Sequence, residues 1–143
     1  MTTNRFMTTV VCDDVRKEVG NKLSYMGIYS EKIVVPRFPF TMAKLCFVMS
    51  VICPGEEDPP ETLTLRMLRN DDVLAELTLP PEGLAAARAQ IQLESDRQTR
   101  RFTSGSVLQI FPLQFTEPCT LKARALCDGK ELKGGSWTVE LAP

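Results

Sequence analysis

The chain has 143 residues, 43% of them hydrophobic and 24% charged, with a formal net charge of -1. That is the size and balance of one soluble globular domain able to bury a real core, without the basic excess that nucleic acid or an anionic membrane would attract. Histidine is absent, which excludes His-based triads and dyads and His-ligated metal sites, so acid-base chemistry would fall to carboxylates, Lys, Tyr or Cys.

The opening MTTNRFMTT lacks the basic start and apolar stretch of a signal peptide. The longest apolar run, 45–53, is far short of the roughly 20 residues that cross a bilayer. A cytoplasmic location is expected. An N-terminal hairpin comes first: FMTTVVC, a charged connection CDDVRKEVGNK, and a second apolar run that ends in IVVP. This reading places Asp13 and Asp14 in the turn, capping backbone N–H groups, while Gly20-Asn21 tolerate positive φ. The competing reading is a metal or catalytic pair. Adjacent aspartates on a strand point to opposite faces, and calcium takes about six to eight oxygens where only Asp13, Asp14 and Glu18 are near. The structural reading is favoured.

LCFVMSVIC (45–53) is apolar at nearly every position, as suits a central strand covered on both faces. PGEEDPPE (54–61) reads as a solvated acidic loop. A hairpin follows, with Leu63, Leu65 and Met67 inward, RNDD turning, and Val73, Ala75, Leu77 and Leu79 returning inward. PPEGLAAARAQIQ alone reads as a helix, around 81–92, with Pro81 in its first turn and Leu84, Ala87 and Ile91 on one face. In SVLQIFPLQF the inward phase flips between Ile110 and Phe111, which predicts a bulge, and Pro112 implies an edge or an interrupted ladder. CTLKARALC sets Cys119, Leu121, Ala123, Ala125 and Cys127 on one face. Asp128-Gly129 signals a tight turn, Gly134-Gly135 a turn or bulge, and SWTVEL returns with Trp137, Val139 and Leu141 inward; Trp137 is read as core packing.

The five cysteines include no CxxC pair. Cys46 and Cys53 point to opposite faces of one strand. Cys119 and Cys127 share a face but lie about 26 Å apart along theirs, beyond disulfide reach. Bridges between different strands stay open, but an odd count without a secretion signal favours free buried thiols.

The expected fold is all-β: a single-domain antiparallel β-sandwich over 1–143. It would have immunoglobulin or fibronectin-like architecture in its last six strands, one short helix around 81–92 and the N-terminal β-hairpin. The run CDDVRKEVGNKLSYMGIYSEKIVVPRFP, followed by KLCFVMSV, resembles an uncharacterised family of small bacterial and bacteriophage proteins. That family opens with Cys-Asp-Asp-Val-Arg, then Gly-Lys-Leu-Ser, Gly-Xaa-Tyr and Pro-Xaa-Phe-Pro. The matching positions are Cys12 to Arg16, Lys22 to Ser24, Gly27 to Tyr29 and Pro36 to Pro39. The resemblance implies one compact β domain and carries no biochemical function.

With no Walker loop, GxGxxG or GxSxG, the expectation is a non-catalytic protein-binding or accessory module without cofactor or metal. Its partner would be another protein or a second copy, not a membrane and not nucleic acid. FMTTVVC and IVV carry little edge charge, so Val10, Val34, Pro36, Phe38 and Phe40 are the candidate partner contacts. Arg97, Arg100 and Arg101, near Arg88, are candidate anion contacts, against a solvated face balanced by Glu94 and Asp96. The alternatives are a self-associating virion or assembly component, and a carboxylate-dependent enzyme using Asp13 and Asp14.

Overall fold

The computed structural model describes residues 4–55, 57–93 and 101–143. In chain order they form β1 (Phe6–Glu18), β2 (Lys22–Tyr29), β3 (Lys32–Val35), β4 (Phe40–Met42), β5 (Leu45–Pro54), β6 (Leu63–Arg69) and β7 (Asp72–Thr78). The helix α1 (Pro81–Gln92) follows, then β8 (Arg101–Ile110), β9 (Leu113–Phe115), β10 (Cys119–Cys127) and β11 (Lys130–Leu141). One sheet runs β2-β1-β5-β8, the second β3-β11-β10-β6-β7, and β4 pairs with β9 as a short ribbon. From β5 onward, β5 and β8 lie in one sheet and β6, β7, β10 and β11 in the other. Immunoglobulin strands B and E are divided in the same way from C, C′, F and G.

Period-two alternation puts one face of each central strand into a common core. Leu45, Phe47, Met49, Val51 and Cys53 of β5 are buried with Leu63, Leu65 and Met67 of β6 and the alternate residues 119–127 of β10. A fully buried Phe or Leu stabilises by roughly 1.5–3 kcal/mol, so this face holds the sheets together. Cys46 and Ile52, on the opposite face of β5, are buried as well, as a centrally placed strand requires. The helix begins on Pro81, whose missing N–H is no loss there, and seals one side of the core with Leu84 and Ile91.

Several local expectations are corrected. IVV does not return along β1; Ser30-Glu31 turn the chain onto the other sheet, where β3 lies parallel to β11. The second sheet is therefore mixed rather than wholly antiparallel. The phase flip at Ile110-Phe111 is a break rather than a bulge: β8 stops at Ile110, Phe111-Pro112 is cis, and β9 leaves to pair with β4. A register shift sets Met67 opposite Ala75 and Leu68 opposite Val73. Leu74 is the extra residue; it packs on the core while Val73 stays exposed. Leu141 is exposed also. The acidic connection is docked rather than merely solvated, because Arg5 pairs with Glu57 and Asp128 and donates to the Asp58 carbonyl. The Asp128 carboxylate in turn accepts the Glu61 and Thr62 amides.

The glycine pair is a bulge. Lys122 faces Ser136 and Arg124 faces Lys133, so Gly134 and Gly135 together oppose Ala123. Gly135 has φ 108° and its missing Cβ leaves room for the Trp137 ring, which would lie 3.2 Å from it. Gly135→Ala is expected to lower stability by about 1–3 kcal/mol, from backbone strain and lost ring packing. Urea unfolding checks this, and an unchanged midpoint would contradict it.

Candidate functional site

β1 is a strand straight through the two aspartates. Asp13 and Asp14 lie inside Phe6–Glu18, so the expected turn is misplaced: the chain reverses at Val19-Gly20-Asn21, with Gly20 at φ 86° and Asn21 at φ 59°. The polarity of the charged stretch resembles that of a turn, yet side chains of either polarity suit a ribbon open on both faces. The ladder of β1 with β5 ends at Cys12-Cys46, and its ladder with β2 starts at Val11-Tyr29. Beyond that overlap, residues 13–18 and 22–27 pair with each other alone. They form a two-stranded arm at one end of the first sheet.

At the root of this arm the aspartates are engaged separately. Asp13 lies opposite Gly27, between the pairs Cys12-Ile28 and Asp14-Met26. Gly27 has φ 69°, and a Cβ there would overlap Asp13 Oδ2; only glycine allows both the backbone and the carboxylate. The Tyr29 hydroxyl donates to Asp13 Oδ1 at 2.7 Å, and the Tyr29 carbonyl accepts the Trp137 indole N–H at 3.3 Å. Burial, with the Asp13 carboxylate beside it, holds the Tyr29 phenol protonated well above the usual phenol range. Tyr29 thus connects the arm to the core tryptophan, which packs as expected and carries this bond besides.

Asp14 meets other partners. Its Oδ1 accepts Lys44 Nζ at 2.6 Å and the Val15 amide at 2.9 Å. The lysine holds the Asp14 carboxyl below its usual range, and the carboxylate holds Lys44 above its own. Cys12 and Cys46 are fully buried beside them and donate to the Asp14 and Asp13 carbonyls at 3.4 and 3.7 Å. Burial pushes both thiols up. The two carboxylates therefore neither share a proton nor converge on a cation. Among the described residues no group of three or more Cys, Asp or Glu could hold a metal ion. Asp13, Lys44 and residues 40–43 line an open groove of about 370 Å³.

The candidate contacts are not brought together. Val10 is part-buried in the first sheet and pairs with Val48, whereas Val34 is exposed on the edge strand β3 of the second. Pro36 is exposed, but Phe38 and Phe40 pack against the core. The exposed apolar side chains of the arm and its root are Val19, Leu23, Tyr25, Met26 and Ile28. Their signal lay in LSYMGIY, where alternation is weak because both faces of the ribbon are open. Arg97 and Arg100 lie outside the described residues; Arg101 is exposed at the start of β8, and Arg88 donates to the Pro60 carbonyl at 2.8 Å. No helix among the described residues is long and apolar enough to cross a membrane.

The model of DUF6941, a family of unknown function, matches residues 7–140, and the chain belongs to that family. No curated protein and no solved structure matches it.

Two measurements test this geometry. Tyr29→Phe is expected to lower stability by about 0.5–1.5 kcal/mol, the usual worth of a partly exposed hydrogen bond. In a double-mutant cycle with Asp13→Ala, which removes the acceptor, the losses should be less than additive; strict additivity would mean that the bond contributes nothing. The second concerns acid. Asp14 is shifted down, so its contribution is present at neutral pH and lost as pH falls below about 4. Asp128 acts with the same sign: burial alone would raise it, but the Thr62 and Glu61 amides and Arg5 outweigh burial and hold it low. Asp14→Asn should flatten part of the acid limb of melting temperature against pH, and Asp128→Asn a further part. An unaltered limb in both variants would overturn the assignment.

Proposed function

We propose that the protein is a non-catalytic binding module that presents its N-terminal arm to another protein. One observation carries this: a two-stranded ribbon, without a sheet neighbour on either side among the described residues, exposes Leu23, Tyr25 and Met26, and Ile28 is exposed at its root. Leu23 and Tyr25 lie on one face of β2 and Met26 and Ile28 on the other, and exposed apolar side chains on a projecting ribbon mark an interaction surface. The outer edge of β2 adds unpaired backbone groups of the kind that β-augmentation uses. The separate engagement of Asp13 and Asp14 by Tyr29 and Lys44 favours this over a carboxylate-dependent enzyme. A second copy is the other occupant, which would make the protein a self-associating virion or assembly component. The same β2 edge supports that reading, since between Lys22 and Tyr29 it carries no charged residue. A cytoplasmic setting in a bacterium or its phage accords with five free thiols and with the sequence pattern.

The test pairs arm variants with a control. Leu23→Lys and Ile28→Lys, both at exposed positions, should change stability by less than about 0.5 kcal/mol. They should nevertheless abolish the wild-type partner in affinity capture from the host, or the wild-type oligomer in light scattering. Val73→Lys, exposed on β7 of the other sheet, should retain both. Arm variants that keep every wild-type association would refute the proposal.

A further inference from the structure

Cys12 and Cys46 are directly opposed across the β1-β5 ladder, and directly opposed residues of an antiparallel pair project from the same face. Both side chains are fully buried. Opposed residues of such a pair have Cα atoms about 4.5–5.5 Å apart, within the range of about 4.4–6.8 Å that a disulfide spans. No other cysteine has this relation: across the ladders Cys53 faces Phe102, Cys119 faces Val139, and Cys127 faces Leu63. The Cys12-Cys46 pair is also the last rung of its ladder. Past it β1 has lost β5 as a neighbour, so opening the strands there disturbs fewer bonds than opening them at mid-sheet.

We infer that Cys12 and Cys46 form a dithiol modification site that a low-molecular-weight disulfide oxidises to a cross-strand bond at the root of the arm. The exchange balances in two steps. One cysteine, as thiolate, attacks a sulfur of the small disulfide, forms a mixed disulfide and expels one small thiolate. The second cysteine, as thiolate, attacks the protein sulfur of that mixed disulfide, closes the Cys12–Cys46 bond and expels the second small thiolate. Two protons pass from the cysteines to the leaving thiolates, so two protein thiols are oxidised and one small disulfide is reduced to two thiols. Burial keeps the resting thiols protonated and out of reach, so the reaction waits on opening of the terminal rung and is slow. Once formed, the bond closes a chain loop from 12 to 46 and fixes the base from which the arm projects.

The folded full-length protein is incubated with oxidised glutathione, its remaining thiols are alkylated, and a non-reducing peptide map is read. One intramolecular link between the Cys12 and Cys46 peptides is expected, with Cys53, Cys119 and Cys127 alkylated. The oxidised protein should melt higher than the reduced one, and dithiothreitol should reverse both changes. Cys12→Ala and Cys46→Ala should each abolish the link; should either fail to fold, Cys12→Ser and the wild-type map decide. Five alkylated thiols, a Cys53–Cys127 link, a glutathione adduct that never resolves, or a link between two chains would each overturn the inference.

Discussion

The divided pairing of β1 governs the molecule. Its first half is hydrogen-bonded to β5 and its second half to β2, and the two ladders overlap only at Val11 and Cys12. A strand with a neighbour on each side is fixed by register on both, and its side chains are sorted into core and surface. A strand that outruns one neighbour keeps its hydrogen bonds through the other but loses the burial. That is why Val11 and Cys12 are wholly buried, while Arg16, Lys17 and Glu18, only a few residues on, are exposed.

The remaining architecture supports this junction. On the far side of the sandwich, β1 packs across β11 where Gly134 has no side chain: a Cβ there would stand 2.6 Å from Met7 Sδ and 2.7 Å from Thr9 Oγ1. Close approach at Gly134 and the bulge at Gly135 belong to one device, since the bulge swings β11 and sets the Trp137 ring in the core. The indole then reaches the Tyr29 carbonyl, and the Tyr29 hydroxyl reaches Asp13. Core, second sheet and arm root are thereby linked through one tryptophan and one tyrosine. The adjacent aspartates Asp13 and Asp14 lie at that link, and each of their carboxylates has a structural partner.

What the sequence disclosed follows from how each segment is solvated. CTLKARALC is buried on one face and wet on the other, so its alternation reported the strand and its inward residues directly. The helix at 81–92 was legible from Pro81 and the spacing of Leu84, Ala87 and Ile91. Asp128-Gly129 identified its hairpin because both residues adopt positive φ, 51° and 81°. Bulges were less legible: a shift of one residue beside Met67 exposed Val73 and packed Leu74, a choice made by the partner strand rather than by the segment itself. The arm was least legible of all. With both faces open, CDDVRKE carries no periodic signal, and polarity that reads as a turn is equally that of an exposed ribbon. Cys12 facing Cys46 could not be read from spacing along one strand, because it is a fact of register between two.

The proposed role of the arm is that it, rather than a catalytic pair or the far sheet, would meet a partner. Site-specific photo-crosslinking in the host tests it most directly, with a photoreactive residue in place of Tyr25 on the arm and, separately, of Val73 on β7. Both positions are exposed, so accessibility does not bias the comparison. A discrete crosslink to another chain is expected from position 25 and none from position 73. Crosslinking from 73 alone, or from neither, would contradict it.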